Sequence, residues 1–208
     1  MYEKIIKRGF DLILSSLFLI LFSWLYLILI ILIKVDDPGP AFFSQKRVGK
    51  GKKHFQLYKF RSMKMCTPHD TPTHLLKNPE QYITRIGKFL RKSSLDELPQ
   101  VWNIFLGHMS FIGPRPALWN QDDLILERDK YGANDVRPGL SGWAQINGRD
   151  ELEIDVKAKL DGDYVYELKK GGIPAFAMDM KCFFGTFVSV LKSEGVVEGG
   201  PYSRTKEV

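Results

Sequence analysis

The densest chemistry in this sequence lies in Ser94-Leu95-Asp96-Glu97. Ser-x-x-Glu ahead of an apolar run is a helix capping box, and acidic residues suit a helix N-terminus. Pro99 shifts that reading. Proline fits best in the first turn, so the helix starts a residue or two later. The surroundings give a second reading. Arg91 and Lys92 precede the two carboxylates, and Gly113-Pro114-Arg115-Pro116 follows as a rigid turn that fixes one guanidinium. Arg137 and Arg149 flank another Gly/Pro-rich loop. Neighbouring cations and a helix terminus keep Asp96 ionised. An ionised carboxylate can attack phosphorus and form an aspartyl phosphate. Arginines grip phosphate oxygens with paired donors, and Mg²⁺ would neutralise a pyrophosphate and hold it in line. These groups make sense together around a phosphate ester.

Composition bounds the scaffold that must position them. The chain has 208 residues, 30 Lys+Arg against 24 Asp+Glu, a net charge of +6 and 44% apolar residues. That excludes a disordered tail, a collagen-like fibre and a disulfide scaffold. The apolar residues do not form several long runs, which excludes a polytopic membrane protein. Cys66 and Cys182 are far apart and read as reduced thiols in a reducing compartment. The basic balance permits anionic partners. Aromatic residues are not interleaved with the basic runs, so no nucleic-acid partner is expected.

One segment breaks the soluble pattern. Leu12 to Ile33 is 22 residues whose only ionisable side chain is Tyr26. As a straight helix it would be about 33 Å long, enough to cross a bilayer. No small-residue cleavage pattern follows it, which argues for a retained membrane segment over a signal peptide. Lys4, Lys7 and Arg8 precede it; Lys34, Lys46, Arg47, Lys50, Lys52 and Lys53 follow. Basic residues favour the cytoplasmic side, so the two flanks favour a helix that dips in and returns. The run has no Pro or Gly, which leaves only Ser15, Ser16 and Ser23 to bend it. Dip and span both stand, with the dip slightly ahead.

The expected architecture is therefore α+β and mostly helical: a monotopic membrane protein. Residues 1–35 form the membrane-inserted helix and residues 36–208 a small cytoplasmic catalytic domain with interfacial helices. Ala41–Phe43 and Phe55–Phe60 read as short strands around a turn at Val48-Gly49-Lys50-Gly51. Thr67–Thr73 reads as a loop. Asn78-Pro79 starts a helix with the stripe Ile83, Ile86, Phe89 and Leu90. A second helix runs from near Ser94 to Leu106 and stops at Gly107. Pro138-Gly139 and Asn147-Gly148 mark turns. Ala175–Leu191 is a last helix, with Phe176, Met180, Phe183, Phe184, Phe187 and Leu191 on one side. Such a stripe is more often core, and on an anchored protein it can also lie on a membrane.

Four ordered blocks carry a family resemblance: Lys59-Phe60-Arg61-Ser62-Met63; Ser94-Leu95-Asp96-Glu97-Leu98-Pro99-Gln100; Phe111-Ile112-Gly113-Pro114-Arg115-Pro116; and Val136-Arg137-Pro138-Gly139-Leu140-Ser141-Gly142-Trp143-Ala144-Gln145-Ile146-Asn147-Gly148-Arg149. The chain resembles the monotopic phosphoglycosyl transferases, bacterial sugar transferases that start glycan assembly on a polyprenol phosphate. The likeness runs from Lys7-Arg8-Gly9-Phe10-Asp11 to about Lys192, and the length matches the family's short forms.

The resemblance implies that a UDP-sugar donates its sugar phosphate. Asp96 matches the nucleophile that releases UMP, and polyprenol phosphate then takes the phosphosugar. Glu97 matches the second dyad member. It either assists proton removal or orients the metal. Mg²⁺ is implied as cofactor, with Asp96 at it. Lys59, Arg61, Arg91, Arg115, Arg137, Gln145, Asn147 and Arg149 are implied for phosphate or substrate contact. The implied place is the cytoplasmic face of the bacterial inner membrane, among its phospholipids. A homo-oligomer is left open. Asp161, in Leu160-Asp161 before Tyr164, suits a structural role as well as a catalytic one.

The pattern departs in three places. Ser23-Trp24 stands where the family often has Ser-Pro at its membrane bend. His108 stands where Asp is common, and Ala158 where an aromatic is usual. His54, His69 and His74 lack metal-ligand company, and Trp143 reads as packing. Two rival functions exist. One is a metal-dependent glycosyltransferase releasing UDP, whose only Asp-x-Asp candidate would be Asp161-Gly162-Asp163. The other is a membrane-tethered basic module that binds lipid or nucleic acid.

Overall fold

In the computed structural model, residues 2–67, 78–148 and 152–192 are described. The chain divides into two compact units. Among the described residues, the first holds 2–23, 44–58, 99–148 and 152–192; the second holds 24–43, 59–67 and 78–98. The α+β, mostly helical expectation holds.

In the first unit, a π-helix over Tyr2–Lys7 leads into α1 (Arg8–Leu21). Tyr2 Oη and Lys7 Nζ both donate to Asp179 Oδ2, at 2.7 and 2.8 Å. Residues five apart in an α-helix lie roughly 140° apart around the axis. The wider π winding brings them nearly in line, so both reach one carboxylate. Tyr164 Oη donates to the other oxygen, Oδ1, at 2.8 Å. Asp11 Oδ1 accepts from Ser110 Oγ and the Phe111 N–H. Arg8 donates to the carbonyls of Ile104 and Phe105. Carbonyls in the last turn of a helix attract cations. Lys7 and Arg8, read as topology signals, are spent on protein contacts.

The strands β1 (Phe42–Val48) and β2 (His54–Phe60) form a two-stranded sheet. The turn between them includes Lys50–Lys52 in a 3₁₀ turn. Asn103, in α4 (Gln100–Leu106), accepts from the Tyr58 N–H and donates to Gln56 O. A second pair, β3 (Ser110–Ile112) and β4 (Gly139–Ser141), is parallel. Here the backbones press together. A Cβ on Gly139 would sit 2.1 Å from Gly113 N, and one on Gly142 would sit 2.1 Å from Gly113 O. The helices α5 (Asp122–Asp129), α6 (Trp143–Ile146), α7 (Ile154–Lys170) and α8 (Gly172–Lys192) complete this unit. Its main core joins Val136, Tyr164, Val165, Leu168, Met178 and Cys182, with Trp143 packed against it.

The last helix corrects the sequence reading. Its buried face is Ala175, Met178, Asp179 and Cys182, while Phe176, Phe183, Phe184 and Phe187 are exposed. The aromatic stripe is not core. The small residues Ala175 and Cys182 let α8 approach its neighbours, and the bulky ones are left outside.

The apolar run is likewise not one helix. It breaks at Phe22, and α2 (Ser23–Asp36) continues at a bend of 61° between the two helical stretches. Among the described residues, no single helix is long and apolar enough to cross a membrane. Ser15, Ser16 and Ser23 all donate to carbonyls three or four residues back. Such back-bonding bends helices, and the break falls between Ile20, whose carbonyl Ser23 takes, and Ser23 itself.

In the second unit, α3 (Arg85–Lys92) is capped by Thr84, whose Oγ1 accepts from the Gly87 N–H at 2.9 Å. The Asp36 carboxylate accepts from the Ile86 N–H, a second acceptor where helix N–H groups lack partners. The expected helix from Asn78 begins instead as a 3₁₀ turn, Pro79–Tyr82, and pauses at Ile83 and Thr84. That pause pairs Met63 with Ile83 in an antiparallel bridge. Tyr26, Phe42 and Phe60 pack ring against ring, with centroids 5.4 and 5.2 Å from Phe60. The Thr67–Thr73 loop, His69 and His74 fall largely or wholly outside the described residues.

Candidate active site

The second unit assembles the acidic pair. β2 ends in Lys59 and Phe60, with Arg61 just beyond, and strand alternation separates their faces. Phe60 enters the core at 1% exposure. Lys59 Nζ donates to Glu97 Oε1 at 2.8 Å and stands 3.7 Å from Asp96 Oδ2. One ammonium thus serves two adjacent carboxylates. It hydrogen-bonds Glu97 and only approaches Asp96.

The turn bearing the pair is local in origin. Ser93 ends α3, its Oγ donating to Phe89 O. Ser94 then takes a left-handed backbone, φ 56°, and a 3₁₀ turn over Leu95–Glu97 follows. Ser94 O accepts from the Glu97 N–H at 3.2 Å. Pro99 lacks an N–H and precedes α4, which starts at Gln100. The capping box is therefore not formed. Ser94 makes no capping bond, and Glu97 turns to Lys59 instead. Tyr26 Oη, from α2, donates to Leu98 O and ties the turn's far end.

Arg61 is buried. It donates to the carbonyl of Asp37 and pairs with its carboxylate at 3.2 Å. It holds the exit from α2. Arg91 lies in the last turn of α3, half-buried.

The other expected residues belong to the first unit. The turn Gly113–Pro116 is rigid, as its composition suggests. Gly139 N–H donates to Pro114 O, Arg128 to Arg115 O, and Arg47 to Pro116 O. Val48 N–H donates to Ala117 O. Four successive carbonyls are held, so the Arg115 backbone is fixed while its side chain is half-buried. Asp161 stands behind this turn. At 1% exposure it takes Arg128 Nε and NH2 at 2.8 and 2.5 Å. Its role is structural, and sequence reasoning did not single out Arg128.

Arg137 Nε donates to Gly107 O, beyond the end of α4. Asn147 is exposed and donates to Trp143 O. Gln145 is buried, and its Oε1 has no hydrogen-bond partner among the described residues. Arg149 lies outside the described residues. His54 and His108 are exposed.

The comparisons add to this geometry. A model of the bacterial sugar transferase family matches residues 2–193. Over 166 residues the chain is 41% identical to the UDP-N-acetylgalactosamine-undecaprenyl-phosphate N-acetylgalactosaminephosphotransferase of Aeromonas hydrophila, covering 77% of this chain and 38% of that protein. It is 38% identical to the Bacillus subtilis protein named uncharacterized sugar transferase EpsL, over 92% of this chain and 90% of that one. It is 37% identical to the UDP-glucose:undecaprenyl-phosphate glucose-1-phosphate transferase of Escherichia coli, over 79% of this chain and 37% of that one. The chain thus spans under half the length of two of these relatives and nearly all of the third. An acidic pair under one lysine, the four ordered blocks and a family match over almost the whole described chain lead to one conclusion: this chain belongs to the bacterial sugar transferase family.

Proposed function

We propose that the protein transfers a sugar 1-phosphate from a UDP-sugar to undecaprenyl phosphate, with Asp96 as nucleophile. The observation that carries this reading is the single ammonium of Lys59 shared between Glu97 and Asp96. It offsets the repulsion of two neighbouring carboxylates. A charged Asp96 attacks the sugar-linked phosphorus. The new bond joins Asp96 Oδ to phosphorus. The bridging bond to the nucleotide breaks, and UMP leaves with the bridging oxygen. A phosphate oxygen of the acceptor then attacks the same phosphorus. That step releases the Asp96 carboxylate and leaves a polyprenol diphosphate sugar. Glu97 accepts the proton that the acceptor phosphate gives up.

Two adjacent carboxylates fit Mg²⁺, which commonly takes one or two carboxylates and completes its shell with substrate phosphate and water. Asp96 and Glu97 would hold it, and it would neutralise diphosphate charge. Lys59 keeps the pair in place.

The protein is placed on the cytoplasmic face of the inner membrane, dipping in with α1 and α2. The bend at Phe22 supports a dip, as do the outward aromatics of α8. The test is to incubate purified protein with UDP-glucose or UDP-N-acetylgalactosamine and no acceptor. Intact mass gains one phosphosugar, and UMP appears in equal amount. Release of UDP, or turnover with no adduct after rapid quenching, sinks the proposal.

A further inference from the structure

Three described non-glycine residues have a left-handed backbone: Lys52, Asn78 and Ser94. Asparagine tolerates that region, and Lys52 sits in an exposed turn. Ser94 is different because it lies two residues before Asp96. A helix end of this kind normally takes glycine. The same chain does so at Gly107, φ 86°, after α4. Ser94 accepts the steric conflict of a Cβ, yet its hydroxyl makes no capping bond and no hydrogen bond to any described residue. Its neighbour Ser93 uses its own hydroxyl on Phe89 O at 2.7 Å. As a turn residue alone, glycine would serve better at position 94. What serine adds is one hydroxyl, on a half-exposed residue two positions before Asp96.

The backbone that carries that hydroxyl is fixed. Ser94 O accepts from the Glu97 N–H, so Ser94 and Glu97 close one 3₁₀ turn with Asp96 inside it. The Ser94 N–H donates to Arg91 O at 3.2 Å, which ties the turn back to α3. Lys59, the cation of the site, is already hydrogen-bonded to Glu97. A transferred phosphate needs donors for its non-bridging oxygens, and a neutral hydroxyl supplies one without adding charge beside the nucleophile. Strained backbone that its surroundings hold in place, as these two bonds hold Ser94, clusters at functional sites.

We propose that Ser94 is a substrate-contacting residue whose hydroxyl donates to a non-bridging oxygen of the sugar-linked phosphate. The proposal rests on the reading of Asp96 as the phosphorus-attacking group. The test therefore measures binding in a protein that cannot react. Asp96→Asn, held in lipid nanodiscs, is titrated with UDP-glucose, UDP-N-acetylgalactosamine and UMP. The same titrations follow with Ser94→Ala and with Ser94→Gly added. A hydrogen bond to a charged group predicts about tenfold weaker binding of the nucleotide sugar in both. UMP, which lacks the sugar-linked phosphate, binds unchanged. Ser94→Gly also relieves the backbone, so it unfolds at the same or a higher temperature despite the weaker binding. Nucleotide-sugar affinity retained in Ser94→Gly makes Ser94 a turn residue only and overturns the proposal. An equal loss of UMP and nucleotide-sugar affinity also overturns it, because that is a general distortion. Failure of the wild-type protein to form an adduct, with the Ser94 effect on binding intact, counts against the Asp96 chemistry and not against Ser94.

Discussion

Glu3 and Lys50 meet at 2.6 Å, although they stand 47 positions apart with the whole apolar run between them. The pair is exposed, and such pairs add little stability. Its information is geometric. A simple span would hold its two ends about 30 Å apart, across the hydrocarbon layer. On the proposed membrane placement, a contact between the flanks requires both on one side. With Glu3→Cys and Lys50→Cys together in a cysteine-free background, a short bifunctional thiol reagent is expected to join the two in membranes. Labelling of the two positions from opposite faces would establish a span instead.

Lys59→Met leaves two adjacent carboxylates without their shared cation. Turnover is expected to fall by about a hundredfold or more, the lower range for losing a group that acts in proton transfer or charge stabilisation. Asp96→Asn should abolish both adduct and turnover while membrane fractionation stays normal. Turnover near wild type in Asp96→Asn would remove the assigned nucleophile.

Arg128 is not expected to touch substrate, yet its loss should be felt there. It links the buried Asp161 to the Arg115 carbonyl. Arg128→Met strands a buried carboxylate, which costs about 3–5 kcal/mol. Thermal unfolding should show that loss. In protein that still folds, KM for the UDP-sugar should rise more than kcat falls. The double variant Arg128→Met/Asp161→Leu should recover stability without recovering KM.

Two glycines predict opposite outcomes. A Cβ on Gly87 would stand 1.9 Å from Ser62 O, whereas nothing lies within 4 Å of one on Gly9. Gly87→Ala should fail to accumulate as folded protein. Gly9→Ala, inside α1, should be neutral or stabilising by up to about 1 kcal/mol. Melting curves and membrane yields decide both.

The two thiols should differ in reactivity. Burial, with the Asp179 carboxylate nearby, pushes the Cys182 thiol up to about 12. At pH 8 the thiolate fraction is then about one part in ten thousand. Cys66 is exposed. Iodoacetamide at pH 8 should modify Cys66 alone until the protein is unfolded. Labelling of Cys182 in the native protein would contradict the packing of α8.

Local chemistry was legible where neighbours in sequence are neighbours in space. Gly107 stops its helix, Pro99 delays α4, and Gly113-Pro114-Arg115-Pro116 is the fixed turn its composition suggests. The acidic pair could be singled out, but its lysine partner was reached only through resemblance, because the Lys59–Glu97 contact joins residues 38 apart. Ser94 misled for a physical reason. Its type matches a helix cap, while its backbone is left-handed and its Glu97 partner is taken by a stronger cationic donor. The stripe on α8 misled because periodicity shows that a helix has two faces, not which one meets the core. The contacts of Lys7 and Arg8 were not legible, because nothing nearby reveals a carboxylate at position 179 or the carbonyls at the end of α4.

The convergence of Tyr2, Lys7 and Tyr164 on Asp179 sets an order of events during synthesis. Lys7 leaves the ribosome 172 residues ahead of its counter-ion. At 5–20 residues per second that delay is roughly ten to thirty seconds. Until then the π-wound start is unsupported by that carboxylate. The first unit can close only after the chain has delivered α8, so the earliest turn made is among the latest to be locked.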